Sequence, residues 1–152
     1  MAIARGAGTE IIRSAMFEDI DDTAYTKLII GEQHHIYTVL SIVVYCLAVQ
    51  TAGNKFHLDL IGFDAKGATT GQYHRMVTPN IGAGNTFVWN DKFSFNGFEP
   101  LAGSMSGTLS TAAEQNAIAD QASAVSQSLT GIGAQGTDSF EVLITYIDQN
   151  NS

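Results

Sequence analysis

Charged side chains are scarce in this sequence, and positive ones are the scarcer kind. They make up 14% of the 152 residues, against about 25% in an average globular protein. The seven lysines and arginines stand singly, none of them beyond residue 92, and 15 acidic residues bring the net charge to −8. Nucleic acids and anionic membranes bind clustered positive charge. The composition therefore predicts neither a nucleic acid nor a membrane as a partner.

Cysteine is nearly absent as well, because Cys46 stands alone and no disulfide can form within the chain. This is typical of a protein made in a reducing cytosol and leaves its final location open. The N-terminus lacks the apolar core of a signal peptide, and no apolar run reaches the roughly 20 residues of a membrane-spanning helix. Cys46 lies in an apolar stretch, which favours a buried side chain over a reactive thiol.

The longest apolar run covers residues 36–49 and is rich in β-branched and aromatic side chains, which favour a strand. Read with a period of two, both faces of this strand are largely apolar, and the same holds for the predicted strand 139–148. Both faces then need cover, from a neighbouring subunit or from a helix of the same chain. We therefore predict a homo-oligomer, a dimer or a trimer. Its predicted interface residues are Ile3 and Arg5 near the N-terminus, Tyr37, Val39, Val43, Tyr45 and Leu47 in the long strand, and Leu143 and Ile147 in the last strand.

Short strands alternate with glycine-rich turns along most of the chain. Further strands are predicted at 10–18, 25–30, 55–63, 72–77, 86–89, 92–98 and 124–130. The turn at 51–54 predicts a hairpin of the long strand with the next one, and Asn96-Gly97 predicts a tight turn. A capping box at Thr111 opens one short helix over 112–121. The pattern predicts a single all-β domain over residues 10–148, a jelly-roll-like β-sandwich or an open barrel, between a flexible arm at 1–9 and a polar tail at 149–152.

Residues 131–136 match the letters of the G-x-G-x-x-G dinucleotide fingerprint. That fingerprint needs a helix after the glycines to hold the pyrophosphate. Here a β-branched strand follows, which predicts a glycine hairpin loop and no cofactor. No nucleophile, base and orienting group can be assembled from the remaining residues, so we predict no catalytic site and no enzyme.

Three residues have the side-chain types of a non-haem iron site. His57 and Asp59 share one face of a predicted strand, and His74 would complete a set of two histidines and one carboxylate. Nothing in the sequence brings His74 near the other two. Polar histidines without a metal are the prediction.

Aromatic residues are concentrated in the strands of residues 87–98. Phe87 and Trp89 would share one face, and so would Phe93 and Phe95. These side chains allow two interpretations, either packing in the core of a small sandwich or a binding site for a glycan or another small ligand.

Three stretches resemble small β-rich structural proteins from the virions of tailed phages, marine and cyanobacterial ones in particular. They are GTEIIR at 8–13, FVWNDKFSFNGFEP at 87–100 and YIDQN at 146–150. The resemblance implies a capsid decoration, or cement, protein that stabilises the shell by contacts with its own copies and with the major capsid protein or another virion protein. A tail, neck or fibre-base subunit is the alternative within that class. The implied location is the virion, after synthesis in the host cytoplasm. No site residues carry over, because the shared motifs are packing and turn motifs.

Overall fold

The computed structural model describes residues 10–49, 55–64, 69–100, 111–112 and 124–150. Its strands are β1 Glu10–Ile20, β2 Thr26–Ile30, β3 His35–Ala48, β4 Phe56–Asp64, β5 Thr69–Val77, β6 Thr86–Trp89, β7 Phe93–Asn96, β8 Phe98–Pro100, β9 Ala124–Ser126, β10 Ser128–Gly133 and β11 Ser139–Asn150. The last strand runs two residues further than the pattern predicts. The helix predicted over 112–121 lies outside the described residues except for Ala112.

Two antiparallel sheets form the body of the domain. Sheet A has the order β1-β11-β3-β6, and β7 pairs with β3 next to β6. Sheet B has the order β2-β10-β4-β5, while β8 and β9 form a separate pair. The predicted all-β fold is confirmed. The two sheets do not close into a barrel. In the part of the chain that is described, no helix is long and apolar enough to cross a membrane.

The core lies between the two sheets. Phe56 of sheet B and Phe140 of sheet A meet edge to face with their ring centroids 5.4 Å apart. This geometry is favourable for two aromatic quadrupoles. The other central side chains are fully buried: Val39, Ile42, Val44, Val142 and Ile144 from sheet A, and Leu58 and Leu129 from sheet B.

A β-bulge in β3 changes which of its residues face the core. Opposite β11, Ser41 pairs with Thr145 and Val39 pairs with Tyr146, so Leu40 is an extra residue. The inward alternation therefore shifts by one position at Leu40. A strict period of two predicts one face for Val39 and the opposite face for Ile42, but both are buried in the core.

Two strand pairings predicted from turn residues are wrong. The long strand β3 does not form a hairpin with β4, because β3 belongs to sheet A and β4 pairs with β10 and β5 in sheet B. Gly97 does not close a β7–β8 hairpin either. Its amide N–H donates to the carbonyl of His35 at 2.8 Å, and β8 pairs with β9. Turn composition predicted local pairing at both places, whereas the partners that bury the apolar faces are distant in sequence.

The glycine hairpin loop predicted over residues 131–136 is wrong, because β10 belongs to sheet B and β11 to sheet A. Strand β10 continues through Gly133, and β11 follows at Ser139. The first half of the glycine motif therefore lies within β10, and the second half belongs to the connection to β11.

Candidate functional site

The outer face of sheet A carries a row of apolar side chains across four strands. Met16 pairs with Leu143, Leu143 pairs with Val43, and Val43 pairs with Val88. Directly paired residues point to the same side of a sheet. Met16, Leu143 and Val88 are 57%, 45% and 48% exposed, and Val43 is half-buried between its neighbours. We call these four residues the apolar row.

Further exposed apolar side chains extend the apolar row along the strands. Tyr45 and Leu47 continue it on β3, and Ile12 on β1 pairs with Ile147. On the described strands of sheet A, the outward positions hold no lysine or arginine. A row of exposed apolar side chains is typical of a protein–protein contact. Here a polar row of Ser14, Thr145 and Ser41 lies next to it on the same face.

The nine predicted interface residues fall into three groups, and the first group is accessible. Val43, Tyr45, Leu47, Leu143 and Ile147 lie on the outer face of sheet A, where a partner can reach them.

Tyr37 and Val39 require a correction, because the bulge at Leu40 turns them inward and both are buried in the core. The predicted arm, with Ile3 and Arg5, lies outside the described residues. Sequence reasoning missed Met16 and Val88, although the alternation Ile12, Ser14, Met16 would have indicated the outward face of β1.

The four aromatic residues of the alternative ligand site face inward. Phe87 and Trp89 pair with Val44 and Ile42, and Phe93 and Phe95 pair with Val39 and Tyr37. These partners all belong to the core.

Ring contacts join the aromatic side chains into one strip under sheet A. Trp89 meets Phe93 edge to face at 6.2 Å, and Phe95 stacks on Tyr37 at 5.4 Å. The Trp89 indole N–H donates to the Asp91 carbonyl at 2.7 Å. The four rings therefore pack as part of the core and do not form an open platform.

A charged cluster lies at the end of sheet A where β3 begins. The Asp148 carboxylate is buried, with its Oδ1 2.6 Å from His35 Nδ1 and its Oδ2 3.1 Å from Arg13 Nε. His35 Nε2 lies 3.4 Å from a Glu32 carboxylate oxygen.

Tyr37 stands beside this cluster and accepts a hydrogen bond from the Glu32 amide at 3.0 Å. Burial raises the pKa of Tyr37 to about 12, so its hydroxyl stays protonated. The contacts of Asp148 with Arg13 and His35 join β11 to β1 and to the start of β3. The sequence gives no local signal for these contacts, because Asp148 is 113 residues from His35.

The three residues with the side-chain types of an iron site are not brought together. Asp59 is bound by Arg75, with Nε–Oδ1 and Nη2–Oδ2 distances of 2.9 and 3.1 Å. His57 lies on the same strand face and is 3.2 Å from the Thr78 hydroxyl. Its pKa is lowered, first by burial and then by the charge of Arg75. His74 pairs with Leu60, on the other face. Among the residues described, no group of three or more histidine, cysteine or acidic side chains is arranged to hold a metal.

Cys46 is fully buried in sheet A. Burial raises the pKa of its thiol, and the charge of Asp138 adds to the effect. Because the thiolate is the reactive form, we expect native protein to give no reaction with Ellman's reagent at mildly alkaline pH and one equivalent after unfolding in guanidinium. As a control, an Ala24→Cys variant places a second thiol at an exposed position and should react at once. A native Cys46 that reacts as fast as that control would contradict the prediction.

Comparisons with known proteins give a sparse result. No protein-family model matches the sequence, and no curated protein matches it. Among solved structures, the chain is similar to one from Bacillus endospore appendages, which are described as a novel family of disulfide-linked pili. The alignment covers 100% of this chain and 97% of that chain, with 10% sequence identity and a TM-score of 0.46. At that similarity the match assigns no function to this chain.

Proposed function

We propose that this protein is a non-enzymatic structural subunit that works by protein–protein contact through the outer face of sheet A. The observation that carries the proposal is the apolar row. Met16, Leu143 and Val88 are large or branched apolar side chains that stay about half exposed in the single chain, although the core of the sandwich is fully formed beneath them.

The size of this face supports the proposal. Four strands spaced about 4.8 Å apart are roughly 19 Å wide. Strand β11 has 12 residues, which span roughly 40 Å at about 3.4 Å per residue. A face of these dimensions is close to the roughly 800 Å² per partner that a standard protein interface buries.

Charge limits the kind of partner. The protein has a net charge of −8, and the outward strand positions of sheet A described above offer no basic side chain. Nucleic acid and anionic lipid are therefore poor partners for this face. A second copy of the chain, or another protein with an apolar surface, suits it.

The finer assignment is a virion protein. The resemblance to phage structural proteins supports a capsid decoration protein, which would form a homo-oligomer and seat it on the major capsid protein. A tail, neck or fibre-base subunit would use the same face in the same way. Both place the protein in the virion.

A charged residue in the apolar row tests the proposal. We expect Leu143→Asp to convert a dimer or trimer into a monomer, because assembly would bury an unpaired carboxylate. The fold should survive, since Leu143 is solvent-exposed in the single chain. Light scattering behind a sizing column measures the mass, and circular dichroism checks the fold.

Ile30→Asp is the matched control. Ile30 is also an exposed apolar residue, but it lies on β2 of sheet B, and its substitution should leave the mass unchanged. A native protein that is monomeric and does not sediment with capsids would refute the proposal. Equal loss of assembly in both variants would show that sheet A is not the specific contact.

A further inference from the structure

A cleft of about 350 Å³ opens at the edge of the sandwich near β7. Three of its lining residues are apolar, three are polar, and none is charged. They are Ile36, Leu60, Phe95, Ser94, Asn96 and Gln127. This volume is at the lower end of the range for small-molecule sites, about 300–1,000 Å³. None of the catalytic or metal-binding arrangements considered above uses this cleft.

Gln127 is the unusual member of the lining. The residue is only 8% exposed, yet its side-chain Oε1 has no hydrogen-bond partner within the described chain. Nearly all buried polar atoms in native proteins are hydrogen-bonded, and one that is left without a partner is costly. A buried acceptor without a partner that lines a cleft therefore indicates a bound ligand that supplies a hydrogen-bond donor.

The backbone holds Gln127 firmly at this position. Its amide N–H donates to the Gly97 carbonyl at 2.8 Å, and its carbonyl accepts from the Gly31 amide at 2.7 Å. Its side chain lies over Gly62, where an added Cβ would be 2.5 Å from Gln127 Cγ. A glycine at position 62 therefore makes room for the orphan amide group. The backbone of Gln127 is therefore fixed at the cleft by two hydrogen bonds.

The lining also defines the chemistry of the ligand. The absence of charge among the six lining residues disfavours an ionic ligand, because an ion would lose its hydration without a counter-charge. A side-chain amide both donates and accepts hydrogen bonds, as sugar hydroxyls do. The Ser94 hydroxyl in the lining lies 2.9 Å from the Thr38 hydroxyl. The apolar side chains Ile36, Leu60 and Phe95 match the C–H face of a sugar ring.

We propose that this cleft binds a single neutral sugar ring, with one of its hydroxyl groups donating to Gln127 Oε1. The site differs from the aromatic ligand site that was the alternative prediction for the strands of residues 87–98. Only Phe95 is common to both, and here it forms a wall of the cleft. The proposal does not depend on the apolar row, since none of its four residues lines the cleft.

The test is a sugar titration that is monitored by NMR. Uniformly labelled protein receives glucose, galactose, mannose or N-acetylglucosamine to about 10 mM, which is enough to detect a dissociation constant of about 1 mM. We expect one of these sugars to shift the Gln127 side-chain amide and the Ser94 backbone amide in a saturable way.

Two variants make the test specific. Gln127→Met should fold with undiminished stability, since replacing an unpaired acceptor by an apolar group of similar shape removes a penalty. It should weaken sugar binding about tenfold, the loss of one good hydrogen bond. Gln135→Met changes a half-buried glutamine in the turn before β11 and should bind normally.

Three outcomes would overturn the proposal. One is that none of the four sugars shifts these resonances. Another is that the shifts persist unchanged in Gln127→Met. The third is a crystal soaked in the sugar that shows only a water molecule at Gln127 Oε1. A marked loss of stability in Gln127→Met would also count against it, because Oε1 would then have an internal partner.

Discussion

Replacing Arg75 with methionine is expected to destabilise the protein by about 3 kcal/mol or more, because it leaves a buried carboxylate without its counter-charge. Asp59 is 0% exposed, and Arg75 binds both of its oxygens. The Asp59 main-chain carbonyl also accepts a hydrogen bond from the Thr130 hydroxyl at 3.1 Å, which fixes the strand at this point. Urea unfolding, monitored by the fluorescence of Trp89, would measure the loss of unfolding free energy.

The double variant Asp59→Leu, Arg75→Met separates the charge effect from the packing effect. Apolar replacement of a whole buried ion pair is often neutral, so the double variant should recover most of the stability. Lys92→Met, which removes an exposed cation, is the control and should change the free energy of unfolding by less than about 0.5 kcal/mol. If Arg75→Met unfolds at the same urea concentration as the native protein, water must reach Asp59 in the variant.

Gly31→Ala is expected to prevent folding or to cost about 3 kcal/mol, the upper end for overpacking. A Cβ at position 31 would collide with the main-chain carbonyl oxygens of Gly97 and Gln127. Backbone atoms cannot turn away as a side chain can. The Gly31 amide is also hydrogen-bonded to Gln127, so any shift breaks the contact that joins β2 to the start of β10. Circular dichroism and thermal unfolding would show the defect.

Gly84→Ala is the matched control for this prediction. Gly84 has a φ of 78°, and nothing lies within 4 Å of an added Cβ. The only penalty is the left-handed backbone conformation, about 1 kcal/mol for an alanine. Equal effects at positions 31 and 84 would mean that the collision is relieved by a small backbone movement.

The junction of Gly31, Gly97 and Gln127 connects the fold to the proposed sugar site. The same two hydrogen bonds that close the junction hold Gln127 at the cleft. A partially folded Gly31→Ala protein should therefore lose sugar binding along with stability, whereas Gln127→Met should lose binding alone. This difference separates a defect in the scaffold from a defect in the site.

Much of the local structure follows from the sequence alone. The aromatic strand at 86–89 has the predicted bounds, and the long strand begins and ends within one residue of the predicted ones. β-branched and aromatic residues between glycine-rich turns are sufficient for this, because side-chain shape and backbone freedom act locally. The all-β class follows for the same reason, and so does the burial of Cys46.

The sequence also indicated the candidate interface in part. The pattern predicted that the long strand and the last strand carry apolar residues on both faces, and Val43 and Leu143 lie on the outer face of sheet A. It could not assign the faces beyond Leu40, because a bulge depends on the pairing partner and leaves no mark in the alternation.

Long-range pairing decided the rest. The choice of β11 as the partner of β3, instead of β4, put Met16, Leu143, Val43 and Val88 side by side. The same pairing brought Asp148 to His35, and the pairing of β10 with β2 brought Gln127 to Gly31, in both cases across about a hundred residues. Such contacts form where two sheets bury the most apolar area together, a quantity that belongs to the whole domain and to no single segment. The sequence therefore determined the strands, and the tertiary structure alone decided which of their side chains meet.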